Sequence, residues 1–182
     1  MRIISGTYKG KRLTAPKKLP VRPTTDFAKE SLFNILNNHF YFEDLTVLDL
    51  FAGTGNISYE FASRGAKTIT AVDQHTECLR FINKTTQELD FPIRTVKSDV
   101  FKFLEKVAPK ANLIFADPPY NFTDEQFAKI AALVFKNEML DPNGFLVIEH
   151  SKHTELTDLP NFSFEKKYGG STFSFFETHQ EE

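Results

Sequence analysis

Residues 113–122 read Leu-Ile-Phe-Ala-Asp-Pro-Pro-Tyr-Asn-Phe, an apolar run that stops at an acid, two prolines and an aromatic ring. Residue types in this order suit chemistry on an amine attached to an aromatic heterocycle. The nitrogen of such an amine is a poor nucleophile, because its lone pair is delocalised into the ring. Two acceptors bonded to its two hydrogens draw it towards a tetrahedral shape and return the lone pair. The Asp117 carboxylate can be one acceptor and the Pro118 carbonyl the other, and consecutive prolines hold that carbonyl so that little reorganisation is needed. Tyr120 offers a flat surface on which a base can stack, worth ~1–3 kcal/mol. A base within a nucleic acid must leave its helix or loop to reach such a pocket. The plain alternative is an Asp-initiated turn with an aromatic packed over proline.

A second constellation lies upstream, in Val47-Leu48-Asp49-Leu50-Phe51-Ala52-Gly53-Thr54-Gly55-Asn56-Ile57. Gly53 and Gly55 allow backbone angles and a close ligand approach that a Cβ would block. A helix beginning just beyond them points unpaired N–H groups at whatever binds. Asp73 follows at the end of the next apolar run, where a carboxylate can accept both hydroxyls of a ribose. Ser98-Asp99 follow the run after that. Ser58 occupies the third glycine position of the dinucleotide fingerprint, so the loop alone fits any nucleoside-containing cofactor or a tight turn with none. A nicotinamide dehydrogenase would share the loop and the ribose acid, but it leaves Asp117–Tyr120 unexplained.

The elements that must position these residues can be read from periodicity. Strand patterns fall at Leu45–Leu50, Thr68–Val72, Ile93–Val96, Leu113–Ala116 and Phe145–Ile148. Helical patterns between them are marked by Ile57, Phe61 and Ala62; by Leu79, Ile82, Thr86 and Leu89; by Val100, Phe103, Leu104 and Val107; and by Phe127, Ile130, Ala131 and Val134. Such alternation predicts an α/β fold with a mostly parallel sheet covered on both faces. Phe162–Tyr168 and Ser171–Glu177 flank Gly169-Gly170 and predict a terminal antiparallel hairpin. At the other end, residues 2–13 predict a short hairpin around a glycine-containing turn. A proline-rich linker follows. A helix then starts near Thr24–Asp26 and carries Phe27, Ala28, Ser31, Leu32, Ile35 and Leu36 on one face.

The 182 residues suit one domain, with 41% hydrophobic residues to fill its core. No run of ~20 apolar residues could span a membrane. The start of the chain does not read as a signal peptide. Cys78 is the only cysteine, and the five histidines show no zinc-ligand spacing, so a cytoplasmic protein without metal is expected. Net charge is −2, but residues 1–25 hold seven basic residues (Arg2, Lys9, Lys11, Arg12, Lys17, Lys18, Arg22) and no acid. A basic arm on an acidic body suits a polyanion contacted at one end.

The glycine loop with Asp73 and Asp99 resembles the S-adenosyl-L-methionine-dependent methyltransferases of the Rossmann-like class I type. That resemblance implies a seven-stranded sheet with a C-terminal antiparallel hairpin. It places Phe51, Ala52, Gly53, Thr54 and Gly55 at the methionine end of the cofactor, Asp73 at its ribose and Asp99 at its adenine amino group. Asp49, Gln74, Ser98 and Val100 complete the implied cofactor set. Asp-Pro-Pro-Tyr in this context resembles the signature of exocyclic amino methyltransferases, with Asp117, Pro118 and Tyr120 as catalytic residues. Adenine N6 and guanine N2 enzymes share it, whereas glutamine methyltransferases usually carry Asn first.

The arm narrows the choice. Arg-Ile-Ile-Ser-Gly, Lys-Gly-Lys-Arg, Arg-Pro-Thr-Thr-Asp and Glu-Ser-Leu-Phe-Asn resemble the opening of the bacterial small-subunit rRNA guanine-N2 methyltransferases of the RsmD type, and the likeness runs to the terminal hairpin. Ser5 stands where that family often has Gly, Phe27 and Lys29 where arginines are common, and Asn56 where Ala is frequent. The resemblance implies residues 1–40 as an RNA-binding hairpin, linker and helix, and 41–182 as the catalytic domain. It implies guanosine in 16S rRNA of a ribosomal subunit or assembly intermediate as substrate, and a monomeric enzyme. Arg2, Lys9, Lys11, Arg12, Arg22, Thr24, Thr25 and Lys29 are the expected RNA-binding residues. Such contacts to phosphate position an RNA without reading its sequence. The competing readings are an adenine-N6 DNA or RNA methyltransferase and a non-catalytic RNA-binding assembly factor.

Overall fold

The structure, a computed structural model, describes residues 1–21, 24–106 and 110–179. Its elements in chain order are α1 (Asp26–Leu36), a 3-10 turn (Phe42–Asp44), β1 (Thr46–Leu50), α2 (Asn56–Ser63), β2 (Thr68–Asp73), α3 (Thr76–Leu89) and β3 (Ile93–Lys97). Then come α4 (Val100–Glu105), β4 (Ala111–Ala116), α5 (Asp124–Lys136), β5 (Leu140–Ser151), β6 (Phe162–Tyr168) and β7 (Ser171–Phe176). The expected alternation is present, and Val107 lies outside the described residues.

The seven strands form one sheet in the order β3-β2-β1-β4-β5-β7-β6. The first five are mutually parallel, and β7 runs antiparallel to both β5 and β6. Strand order reverses between β1 and β4, which is where an open α/β sheet leaves a crevice at its carboxyl ends. Both motifs singled out above leave the sheet at that point.

Two apolar layers cover the sheet. One contains Leu32, Phe33, Phe61, Ile82 and Leu89 from α1, α2 and α3; the other contains Leu104, Phe127, Ile130 and Val134 from α4 and α5. Local chemistry sets the helix starts. The Thr25 side chain accepts from the Ala28 N–H, the Asp99 side chain from the Lys102 N–H, and Thr123 and Gln126 form a reciprocal capping box on α5.

Two elements differ from expectation. Strand β5 starts five residues before Phe145, because Leu140 already pairs with Ala111. Asp141-Pro142-Asn143-Gly144 forms an irregularity within the strand, with Asn143 at φ 63°. A Cβ on Gly144 would meet the Asn112 carbonyl oxygen at 2.7 Å, so the close approach of β4 requires glycine there.

The N-terminal hairpin contains a single antiparallel bridge, Arg2 to Arg12, rather than two strands. Its two sides are joined by Ile3 N–H to the Lys11 carbonyl (2.9 Å), Gly10 N–H to the Ile3 carbonyl (2.8 Å) and Leu13 N–H to the Met1 carbonyl (2.9 Å), and other donors reach α2. Ile4 and Ser5 N–H groups donate to the Glu60 carboxylate (2.9 and 3.1 Å), and Thr7 N–H donates to the Ser63 carbonyl (2.8 Å). Gly6 sits at φ +87° against that same carbonyl, where a Cβ would be 1.9 Å from the oxygen. The arm is therefore both paired with itself and fastened to α2, and Ile3 and Leu13 join the core.

Candidate active site

Register places four carboxylates on one face of the sheet. Asp49 is in register with Ala71 on one side and Phe115 on the other, and Phe115 with Val147. Side chains two apart along a strand share a face. Asp73, Asp49, Asp117 and Glu149 therefore point to the same side, on four adjacent strands at the carboxyl end. Neighbouring strands lie ~4.8 Å apart, so Asp73, Asp117 and Glu149 are level with one another across the switch point, and Asp49 lies two residues further back on the same face. No three of them, nor any other described His, Cys, Asp or Glu, group to hold a metal ion.

Each acid meets different surroundings. Asp49 is buried and accepts a 2.6 Å hydrogen bond from Ser58 Oγ, which ties β1 to α2. Burial, opposed by that bond, pushes its carboxyl up to about 7. Asp73 accepts from the Gly53 N–H (2.9 Å) and the His75 N–H (2.8 Å), so it fixes the glycine loop while each oxygen keeps a free lone pair. Asp117 is half-buried, and no donor among the described residues reaches its carboxylate. Burial, then the charges of Glu149 and Asp49, hold it well above the usual carboxylate range. Glu149 is buried and accepts from Thr24 Oγ1 (2.8 Å) and Ser171 Oγ (3.1 Å).

The loop between β1 and α2 is shaped by three positive φ angles, at Phe51 (58°), Gly53 (56°) and Gly55 (89°). Gly55 is required for space as well as angle, since a Cβ there would lie 2.7 Å from the Tyr59 ring. Thr54 is buried in this loop. Phe51, a side chain in a strained backbone region, packs edge-on against Phe122, which stacks on Phe101. Ser98 and the exposed Asp99 lie at the end of β3, while Val100 is turned into the core and Gln74 faces solvent.

After β4, Pro118 is buried and no donor among the described residues bonds its carbonyl. The Tyr120 ring is 94% exposed, open to a stacking partner. An unpartnered carboxylate and an unpartnered carbonyl thus sit one residue apart beside the glycine loop. They can accept two hydrogens from one amine.

The expected RNA-contacting residues divide. Lys9, Lys11 and Arg12 are exposed, and Arg2 is exposed in an ion pair with Asp26 (3.1 Å). Arg22 lies outside the described residues. The Thr24 and Thr25 hydroxyls are engaged with Glu149 and with the α1 N-terminus. Lys29 is a correction: its side chain is 1% exposed, bonded to the Arg2 carbonyl and Asn56 Oδ1 and 3.6 Å from Glu60. An ammonium group sealed beneath the arm cannot reach a phosphate. Sequence reasoning also passed over Glu149 and Glu60. Each falls within an apolar or mixed run, and only the fold gives it partners.

Fold and site together define a class I, Rossmann-like methyltransferase. The family described as Conserved hypothetical protein 95 matches residues 1–177, and the chain belongs to it. YlbH of Bacillus subtilis (strain 168) is 35% identical over 163 residues, 87% of this chain and 86% of the relative. Ribosomal RNA small subunit methyltransferase D of Escherichia coli (strain K12) is 34% identical over 150 residues, 82% of this chain and 71% of the relative. The solved structure of yhhF from Escherichia coli superposes with a TM-score of 0.84 at 30% identity, covering 97% of this chain and 96% of that one.

Proposed function

We propose that this protein methylates the exocyclic N2 amine of a guanosine in small-subunit ribosomal RNA, within a ribosomal subunit or assembly intermediate in the cytoplasm. The observation that carries the reading is the pair of acceptors without a donor among the described residues, Asp117 carboxylate and Pro118 carbonyl, at the switch point of the sheet.

The cofactor is S-adenosylmethionine, which when bound supplies a methyl group on a sulfonium, an electrophile. The residues present fit it. Its ribose hydroxyls, adenine amino group and ammonium are donors, and Asp73 and Asp99 are acceptors at the ends of adjacent strands. Its carboxylate suits the N-terminus of α2, where backbone N–H groups are unpaired.

Asp117 and Pro118 hold the two hydrogens of the amine and localise its lone pair. As the nitrogen becomes positive it must lose a proton, and a carboxyl already held above its ordinary range is suited to take it. Tyr120 supports the flipped base. The exposed Lys9, Lys11 and Arg12 meet phosphates along a track beside α2, which runs ~10 Å from Asn56 to Ser63 at 1.5 Å per residue.

The test is mass spectrometry of small-subunit rRNA from cells lacking the protein. The expected result is one N2-methylguanosine missing, restored by the wild-type gene. A complete methylation pattern, or loss of a methyl from an adenine, would overturn the assignment.

A further inference from the structure

Asp117 does not face the cleft alone. Ala116 pairs in register with Ile148, so Glu149 is its neighbour on the next strand and on the same face. Both carboxylates are desolvated, and each is held above the ordinary range first by burial. No cation among the described residues pairs with either of them. Two desolvated acceptors side by side are costly unless a ligand brings two donors.

The arrangement of Glu149 indicates which ligand. Its two hydroxyl partners come from distant segments, Thr24 from the linker before α1 and Ser171 from the tip of the β6–β7 hairpin. Both donate, so they hold the carboxylate in one rotamer as an acceptor. A carboxylate offers about four lone-pair sites, and the two hydroxyls use two. What remains accepts a hydrogen bond next to the amine site at Asp117.

Resting on the methyl-transfer reading above, we propose that Glu149 is a specificity-determining residue that accepts the N1–H of guanine while Asp117 and Pro118 hold its N2 amine. Guanine presents N1–H and N2–H₂ as adjacent donors on one edge. The ring nitrogens beside the adenine amine, N1 and N7, are both acceptors and would face the carboxylate with a lone pair. A site built to receive a donor rejects an analogue lacking it far more strongly than one differing by a methylene. Glu149 thereby makes a choice that the Asp-Pro-Pro-Tyr signature does not.

The experiment measures nucleoside binding by ligand-observed NMR titration with S-adenosylhomocysteine present, which needs no turnover. Guanosine carries both donors. 2-Aminopurine riboside keeps the amine but has an acceptor at N1, and 1-methylguanosine blocks N1. Wild-type protein is expected to favour guanosine at least ten-fold over both. Glu149→Gln keeps the volume and an oxygen for one of the two hydroxyls but replaces the other oxygen with an NH₂ donor, and should bring guanosine and 2-aminopurine riboside within about three-fold. Thr24→Val removes one of the two hydroxyls that hold Glu149 and leaves the charge in place, so it should weaken the guanosine preference less than Glu149→Gln does. Equal affinities in the wild type, no binding of guanosine, or an unchanged ratio in Glu149→Gln would overturn the proposal. If the wild-type preference holds but cells lacking the protein keep all their N2-methylguanosine, the reaction fails and base recognition stands. The reverse pattern removes Glu149 alone.

Discussion

Lys29 Nζ donates to Asn56 Oδ1 at 2.8 Å in the interior, joining α1 to the first residue of α2. The pair belongs to a larger junction. Glu60 lies 3.6 Å from the same ammonium and accepts from Arg64 Nε (2.9 Å) and from two backbone N–H groups of the arm. Asn56 also donates to the Thr24 carbonyl (3.3 Å). Burial draws the Lys29 pKa down, and Glu60 opposes that. This junction ties the arm, α1 and α2 into one body at the edge of the candidate site.

Removing the ammonium should therefore loosen the arm. Lys29→Ala is expected to cost ~3–5 kcal/mol of unfolding free energy, the usual result of breaking one side of a buried pair. Limited proteolysis should then cut within residues 1–25 at protease levels that spare the wild type. A loss below about 1 kcal/mol in denaturant titration would mean that Arg64 and the backbone satisfy Glu60 without Lys29. The double variant Lys29→Ala with Asn56→Ala should lose less than the two single variants summed, which a double-mutant cycle reads directly.

Asp117→Ala should reduce methyl transfer by at least ~10²-fold, the scale seen when one preorganised electrostatic group is deleted. RNA affinity should change little, because the exposed basic residues of the arm lie on a different element. Filter binding and single-turnover kinetics on unmethylated subunits separate the two quantities. Near-normal turnover would remove Asp117 from the mechanism.

Neutralising Lys9, Lys11 and Arg12 should weaken RNA binding and flatten its dependence on salt. If each of the three side chains neutralises one phosphate, their removal lowers the slope of log K against log salt by about 2–3. An unchanged slope would show that phosphates are met elsewhere.

Asp49 makes the protein's stability fall as pH rises. Its folded-state pKa of about 7 lies above the ordinary 3.8, so the folded protein binds this proton more tightly than the unfolded chain. The contribution is fully present below pH ~4 and is lost as pH climbs through ~7. Asp117 and Glu149 are shifted in the same direction and add to the trend. Asp49→Asn keeps an oxygen for Ser58 and removes the titration. In thermal unfolding, its Tm relative to wild type should be higher at pH 8 than at pH 5. Parallel Tm curves for the two proteins would contradict the assignment.

The sequence by itself determined the succession of elements, the parallel sheet with its closing hairpin, and both motif loops. These depend on periodicity, glycine and proline, which act within a few residues of themselves. It placed Asp117 and Pro118 at a strand end and Lys9, Lys11 and Arg12 in solvent for the same reason. Only the tertiary structure decided the fate of Lys29, whose type favours the surface. Its partners stand 27 and 31 positions away, on a helix that the fold lays across it. The same holds for Glu149, which sits among apolar strand residues and acquires its meaning from Thr24, 125 residues upstream, and Ser171, 22 residues downstream. The gathering of four acids on one sheet face is a matter of register between strands, and register is set by long-range pairing.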